Sequence, residues 1–444
     1  QGKNTAHQYK NIPVEERVTV AKELGIPLDD KAAMAAQFYR PAEDSPELIY
    51  MREQREKLDG YLPNRNVSCA PLQIPNLARF KEILAGSGKR EVSTTMVMVR
   101  LMSSLLRMPE VAKYIVPIVP DEARTFGMDG LFKAAGIYSA DGQKYRPVDA
   151  DSLLPYREAN DGQILQEGIC EVGAMASFMA AGSAYSVHGL PMIPFYIFYS
   201  MFGFQRVGDM IWSCGDMMCK GFLLGGTAGR TTLNGEGLQH QDGHSHILAS
   251  TVPSLLSYDP AFGYEVAVIV REGMRRMYEE QEDIFYYLTL YNENHLMPDM
   301  AEVLAVTNQT QEALVQGILQ GGYCFSRTND APAQIHLLSS GSIMQQVMAA
   351  ASQLETMGFN VAIWSITSFV ELQRQAMAVD RSNRDTDATA KDKQVSNLEQ
   401  MFAGQSGAFV AVTDYMASLA LGIAAWMPEG YEVLGTDGFG LSES

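Results

Sequence analysis

The chain has 444 residues, 46% of them hydrophobic, with 52 acidic against 34 basic side chains and a formal net charge of −18. That length admits two or three domains with real cores, at roughly 150 residues each. The excess of acid, without any basic run, excludes a general role on nucleic acid or anionic membrane, where clustered Lys and Arg must neutralise phosphates.

Residues 1–64 read as an arm with local helices. Ser45-Pro46-Glu47 supplies an N-cap, a proline at the first helical position and an acid in the first turn, and Gly60 closes that helix. Between about 73 and 294 strand-like and helix-like patterns alternate, which predicts a parallel sheet flanked by helices. A helix is expected over 93–107, a buried strand over 115–119, an Ala- and Met-rich helix over 168–183 and an interior strand over 192–199. Asp259-Pro260 is expected to cap a helix running to about Glu280, ahead of a strand over 284–291. A second alternation follows: strand 334–338, a turn at Ser339-Ser340-Gly341-Ser342, a helix to Gly358, strands 360–364 and 409–413, a helix over 415–426 and a strand over 431–435. The polar stretch 381–399 reads as a solvated loop. The second domain reads as incomplete, stopping soon after Gly435-Thr436-Asp437-Gly438-Phe439-Gly440.

No apolar stretch reaches the roughly 18 to 20 residues that span a bilayer, and Gln1-Gly2-Lys3-Asn4 opens no hydrophobic signal core, so a cytoplasmic location is expected. Five scattered cysteines, Cys69, Cys170, Cys214, Cys219 and Cys324, do not form a disulfide framework. Cys214 and Cys219 lack a second pair and read as core thiols.

Several constellations can carry chemistry. In Gly162-Gln163-Ile164-Leu165-Gln166-Glu167-Gly168-Ile169-Cys170-Glu171 a glycine turn leads into a helix with Glu171 in its first turn. The helix dipole alone favours an acid there. A carboxyl shielded by Ile169 and neighbouring helices can instead share a proton with a ring nitrogen, with Glu167 one turn earlier tuning it by like charge. Tyr199-Ser200-Met201-Phe202-Gly203-Phe204-Gln205-Arg206 follows a strand at its carboxyl end, where parallel sheets bind ligands, and Phe202 offers a ring face for a flat heterocycle. Gly225-Gly226-Thr227-Ala228-Gly229-Arg230 tempts a phosphate-cradle reading, but no Gly-Lys-Ser or Gly-Lys-Thr follows. His240, His244 and His246 fall within seven residues, so a zinc-dependent hydrolase is a competing reading from a different class, although the His-Glu-x-x-His pattern is absent. Asp121, Glu122 and Arg124 lie just past the strand 115–119, as a salt-bridge corner or an active-site network.

Taken in order, Ile118 to Met128, Gly162 to Glu171, Pro191 to Arg206, Gly229 to His240 and Gly435 to Gly440 resemble the homodimeric pyruvate dehydrogenase family over nearly the whole chain. The resemblance implies an α/β fold: a thiamine-diphosphate-binding, transketolase-like pyrimidine domain with a parallel sheet flanked by helices, then a partial second α/β domain. It implies an amino-terminal arm and linker with a mobile active-site loop over 1–72, the pyrimidine-binding domain over 73–305, a linker over 306–333 and a truncated transketolase-like carboxyl-terminal domain over 334–444.

By that resemblance the reaction is oxidative decarboxylation of pyruvate, with transfer of the acetyl group to lipoamide on a dihydrolipoyl acetyltransferase core. The cofactors implied are thiamine diphosphate and Mg²⁺, and the assembly implied is a homodimer with its active site at the subunit interface. Glu171 is implied to hydrogen-bond the pyrimidine N1′, and Phe202 to pack on that ring. The backbone at Ile169 and the side chains of Asp121, Glu122 and Tyr199 are implied to hold cofactor and substrate. His240 is implied near the reacting carbon with Glu236 in the same loop, and His7 on a mobile loop that assists acetyl transfer. The Gly-Asp-Gly and Asn fingerprint that holds diphosphate and metal is absent from this chain, so those ligands are expected in an amino-terminal domain outside it and the segment alone is expected to be inactive. Gln241 stands where the family leads one to expect an acid. Another 2-oxo acid dehydrogenase or a transketolase-like enzyme stays open as an alternative.

Overall fold

A computed structural model describes residues 10–58, 60, 68–120, 123–148, 156–233, 236–329, 331–385 and 393–440. The chain forms two compact units, Gln1–Arg65 and Asn66–Ser444. In the first, α1 (Val14–Glu23), α2 (Asp30–Met34) and α3 (Pro46–Glu56) are short, and Ala21 and Ala33 are its buried apolar side chains among the described residues. Local capping defines these helices more than any core does. Asp29 accepts from Ala32 N at 2.7 Å, Ser45 Oγ accepts from Leu48 N at 3.4 Å, and Arg17 reaches the Met34 carbonyl at 2.8 Å.

Among its described residues the second unit holds two large sheets and two two-stranded ones, Glu91–Val92 with His295–Leu296 and Ile137–Tyr138 with Glu158–Ala159. The first large sheet has six strands, β1 (Ile115–Val119), β2 (Leu165–Gln166), β3 (Ile193–Tyr199), β4 (Phe222–Gly226), β5 (Leu255–Tyr258) and β6 (Phe285–Thr289), in the order β2-β1-β3-β4-β6-β5. Every pairing is parallel. Strands covered on both faces read as continuous apolar runs, and Ile-Pro-Phe-Tyr-Ile-Phe of β3 is buried throughout. Phe195 stacks on Phe222 of the neighbouring β4 at 4.8 Å, and Phe198 stacks on Tyr287 of β6 at 6.1 Å across the intervening β4.

Helices α4 (Thr94–Leu105), α5 (Glu171–His188), α6 (Ser200–Asp216) and α7 (Gly263–Met274) pack around this sheet. Helix α5 starts three residues later than its composition suggests, because Gly168 takes a positive φ of 75° and Cys170 forms the cap. Helix α7 is not capped by Asp259. Glu265 reaches back to the amides of Ala261 and Phe262, at 2.6 and 3.0 Å, while Asp259 is used elsewhere.

The stretch 306–333, expected as a linker, is largely ordered: α8 (Met300–Thr307) runs into it, α9 (Gln311–Gln320) lies within it, and strand β7 (Tyr323–Arg327) follows. With β8 (Ile335–Ser339), β9 (Val361–Ser365), β10 (Ala408–Val412) and β11 (Tyr431–Leu434), β7 forms a second sheet in the order β7-β9-β8-β10-β11. Its pairings are parallel except β7 with β9. Residues 381–385, expected in a loop, continue α10 (Phe369–Asp385), and the expected helix over 415–426 is broken into α11 (Ala417–Leu421) and a 3-10 turn at Ala424–Trp426.

The two sheets are joined through buried carboxylates. Asp259 accepts from Thr289 Oγ1 at 2.5 Å, Tyr291 OH at 2.6 Å and, from the second domain, Ser340 Oγ at 2.6 Å. Glu265 accepts from Tyr323 OH and Ser365 Oγ, both at 2.6 Å, and burial pushes its pKa up, making it a weaker acid.

Candidate active site

The site lies at the carboxyl edge of the first sheet, where β1, β3 and β4 end. Past β1, the amide of Cys170 bonds the Pro120 carbonyl at 3.3 Å and that of Glu167 the Val119 carbonyl at 2.9 Å, so the first turn of α5 is moored to the strand end. Tyr196 of β3 donates to the Glu171 carbonyl at 3.3 Å from the other side. Glu171 is thereby sunk into the edge, its side chain only 11% exposed. Ile169 does not provide that shielding, since it is 81% exposed. Glu167 turns to Ser177 Oγ, which donates to it.

The partner of Glu171 is Arg206, which donates from Nη1 to Oε1. The same guanidinium lies 4.0 Å from the ring centroid of Phe202, one helical turn earlier on α6. Helix α6 can pass so close to β3 only at Gly203, where a Cβ would come within 2.1 Å of the Phe198 ring. The helix bends just after Arg206, at Val207.

From Phe202 the cluster continues to His240. The imidazole meets the Phe202 edge at 5.2 Å and stacks on Tyr199 at 4.7 Å, and Tyr199 in turn packs on Phe126 at 5.3 Å. Glu236 Oε2 lies 2.7 Å from His240 Nδ1, off the N–H direction, so the contact is electrostatic rather than a directed hydrogen bond. Glu171, Phe202, Tyr199, His240 and Glu236 thus share one neighbourhood through Arg206 and ring contacts. Asp121, Glu122 and His7 lie outside the described residues.

The three clustered histidines diverge. His244 accepts from Gln205 Nε2, while His246 is buried between Ser257 Oγ at 2.6 Å and Thr289 Oγ1 at 2.9 Å, with its basicity lowered by burial. Among the described residues no three His, Cys, Asp or Glu side chains are grouped to hold a metal, and the three histidines that the zinc-hydrolase reading would need turn to different partners. The phosphate-cradle reading of 225–230 also fails: Gly225 and Gly226 are buried in β4, and the amides of Arg230, Thr231 and Thr232 point at the carboxylate of Asp414.

Local sequence did not single out Arg206. The signal was available, since an arginine four residues after Phe202 on a helix falls on the same face. Asp414 had no local signal, being some 180 residues from its partners.

A family model described as the pyruvate dehydrogenase E1 component middle domain matches residues 72–298, and one described as a transketolase-like C-terminal domain matches 321–444. The pyruvate dehydrogenase E1 component of Pseudomonas aeruginosa is 49% identical over 447 residues, covering 100% of this chain and 49% of that protein. That of Escherichia coli is 44% identical over 452 residues, again covering 100% of this chain and 49% of its relative. The chain therefore spans about half the length of these relatives. Among solved structures, transketolase from Campylobacter jejuni aligns with a TM-score of 0.57 at 15% identity, over 97% of this chain and 55% of that one. Transketolase from Leishmania mexicana aligns with a TM-score of 0.54 at 13% identity, over 96% and 49%. At such identities these structures establish a transketolase-like fold. The middle-domain model, which covers just over half of the residues, establishes the lineage: the chain belongs to the pyruvate dehydrogenase E1 component family.

Proposed function

We propose that this chain supplies the pyrimidine-binding and carboxyl-terminal parts of an enzyme that decarboxylates pyruvate with thiamine diphosphate and passes the acetyl group to lipoamide on a dihydrolipoyl acetyltransferase core. The observation that carries this is the buried Glu171 at a parallel-sheet edge, linked through Arg206 to the ring wall of Phe202, Tyr199 and His240. The donor set suits an aminopyrimidine: a shielded carboxyl for a ring nitrogen, and aromatic faces for a flat heterocycle. When bound, thiamine diphosphate supplies the electron sink that decarboxylation requires.

The residues have distinct tasks in this reading. Glu171 orients the heterocycle and holds or gives a proton at its ring nitrogen, which requires Arg206 to release the carboxylate or share it. Phe202 offers its ring face, while Tyr199, Asp121, Glu122 and the backbone at Ile169 line the surroundings. His240, with Glu236 beside it, holds a proton near the substrate carbon. His7 assists acetyl transfer. The ligands of Mg²⁺ and the diphosphate are proposed to lie in sequence outside this chain, whose residues contain no Gly-Asp-Gly fingerprint.

A homodimer whose interface crosses the site goes with this reading; Ile169 and Val172, exposed at the start of α5, are side chains that such an interface would cover. No helix among the described residues is long and apolar enough to cross a membrane, and the cytoplasm is the proposed location. The test is release of CO₂ from pyruvate by the complete protein, dependent on added thiamine diphosphate and Mg²⁺ and compared with longer and branched 2-oxo acids. Preference for another 2-oxo acid would reassign the substrate, and no turnover of any would overturn the reading.

A further inference from the structure

The loop that carries Glu236 and His240 leaves the first sheet after β4 and returns to its starting point. The amide of Asp242 bonds the Gly229 carbonyl at 3.2 Å, forming a neck where the stretch 229–233 meets the stretch 236–242. What holds that neck comes almost wholly from the second domain. Asp414, buried just past β10, accepts from the successive amides of Arg230 at 2.7 Å, Thr231 at 2.9 Å and Thr232 at 3.3 Å. It also accepts from the hydroxyls of Thr231 and Thr232. Three backbone N–H groups converging on one carboxylate form a small anion nest, here filled by a side chain of the same chain.

Further clamps lie beside it. Arg230 donates to the carbonyls of Thr436 at 2.6 Å and Gly438 at 2.7 Å, Thr232 Oγ1 lies 2.5 Å from Ser342 Oγ, and the Met416 amide bonds the Gly243 carbonyl at 2.8 Å. Gly229 has a φ of 105°, and a Cβ there would lie 2.7 Å from Thr232 Oγ1 and 3.1 Å from Asp414 Oδ2, so the nest leaves no room for a side chain.

We propose that Asp414 is a positioning residue for the reaction: by fixing the loop neck to the carboxyl-terminal domain it sets where Glu236 and His240 stand against Tyr199 and Phe202. It touches no reacting atom. This rests on the pyruvate reading above, in which His240 faces the substrate carbon. A loop whose neck is loose lets the imidazole slide on Tyr199, and displacement of about 1 Å at such a group costs on the order of 100-fold in rate.

The experiment uses the complete protein with Asp414→Asn, whose amide group presents N–H donors to a nest of N–H donors. Expected are a retained fold with a lowered unfolding midpoint, since buried donors lose their acceptor, faster hydrogen exchange in peptides spanning 230–242, and a kcat for pyruvate about 10- to 100-fold lower with KM little changed. A tether then tests the cause. Thr232→Cys with Ser342→Cys in the Asp414→Asn background, closed by oxidised glutathione, should restore most of kcat, and reduction should remove it again. Should Asp414→Asn not fold, Thr231→Val, which removes only one hydroxyl donor, reads the same exchange and kcat. Unchanged loop exchange, or a closed tether that leaves kcat low, would overturn the proposal. If the unmodified protein decarboxylates no 2-oxo acid, the pyruvate reading fails, whereas the exchange measurement still decides whether Asp414 holds the loop.

Discussion

Arg206 covers Glu171 and Phe202 at once, its guanidinium donating to the carboxylate while resting 4.0 Å from the ring centroid. The two groups proposed to receive the heterocycle are therefore engaged by one flexible side chain that is itself 45% exposed. Arginine suits this, because its planar head can pair with a carboxylate and lie on an aromatic face together.

Removing that cover gives the first prediction. Arg206→Met in the complete protein should lower the Kd for thiamine diphosphate, since Glu171 and the Phe202 face need no longer be cleared. It should also reduce folding stability by about 1 kcal/mol, the pair being partly exposed. Titration calorimetry and denaturant unfolding read both. A weakened Kd would make Arg206 a ligand for the cofactor.

Glu171→Gln keeps the shape of the side chain but removes its acid–base capacity. Pyruvate decarboxylation should fall by at least about 100-fold with the unfolding midpoint preserved. Near-normal turnover would dismiss Glu171 as the proton-handling group.

Gly203→Ala places a methyl group within 2.1 Å of the Phe198 ring, so α6 must move off β3 and carry Phe202 and Arg206 with it. A loss of about 1–3 kcal/mol in stability is expected from this overpacking, together with reduced activity. Unaltered stability in chemical denaturation would contradict the close approach of helix and strand.

Three buried histidines predict a pH dependence. His246, His295 and His336 all have their basicity pushed below the ordinary value of 6.5 by burial. In the unfolded chain they protonate near pH 6.5, so the stability they confer is complete above that pH and is lost as pH falls through the folded-state values. The steepest slope is about 1.4 kcal/mol per pH unit for each histidine. Unfolding measured from pH 7.5 down to 5.5 should show this decline, and His246→Gln should flatten it by about one proton. An unchanged slope in that variant would assign the acid sensitivity to other groups.

Much of the first sheet was legible because parallel strands buried on both faces declare themselves as apolar runs, as β1 and β3 do. Strand β4 was missed because its Gly225-Gly226 end looks like a loop; a Cβ at Gly225 would lie 2.4 Å from Tyr287 OH, so packing against β6 rather than turn chemistry accounts for that glycine. Strand β7 was hidden in a weak pattern, and only its pairing with β9, far along the chain, reveals it. At the site, Glu171, Tyr199, Phe202 and His240 lay in legible motifs, whereas the acid that anchors the His240 loop belongs to another domain. Periodicity reports which face of an element is buried, not which distant carboxylate will fill a nest of amides. Asp259 illustrates the same limit. Beside Pro260 it resembled a helix cap, yet Thr289, Tyr291 and Ser340 claim its oxygens.

Glu265 shows how far the two α/β lobes can be treated as modules. Half of its donors, the Ala261 and Phe262 amides, are neighbours in the chain, and the other half, Tyr323 and Ser365, arrive only with the second sheet. Severing the polypeptide between them would strand an acid in an apolar interior with two of its oxygen contacts removed. Excising either lobe for separate production is therefore a poor strategy, and a useful dissection would keep 261–265 together with 323–365.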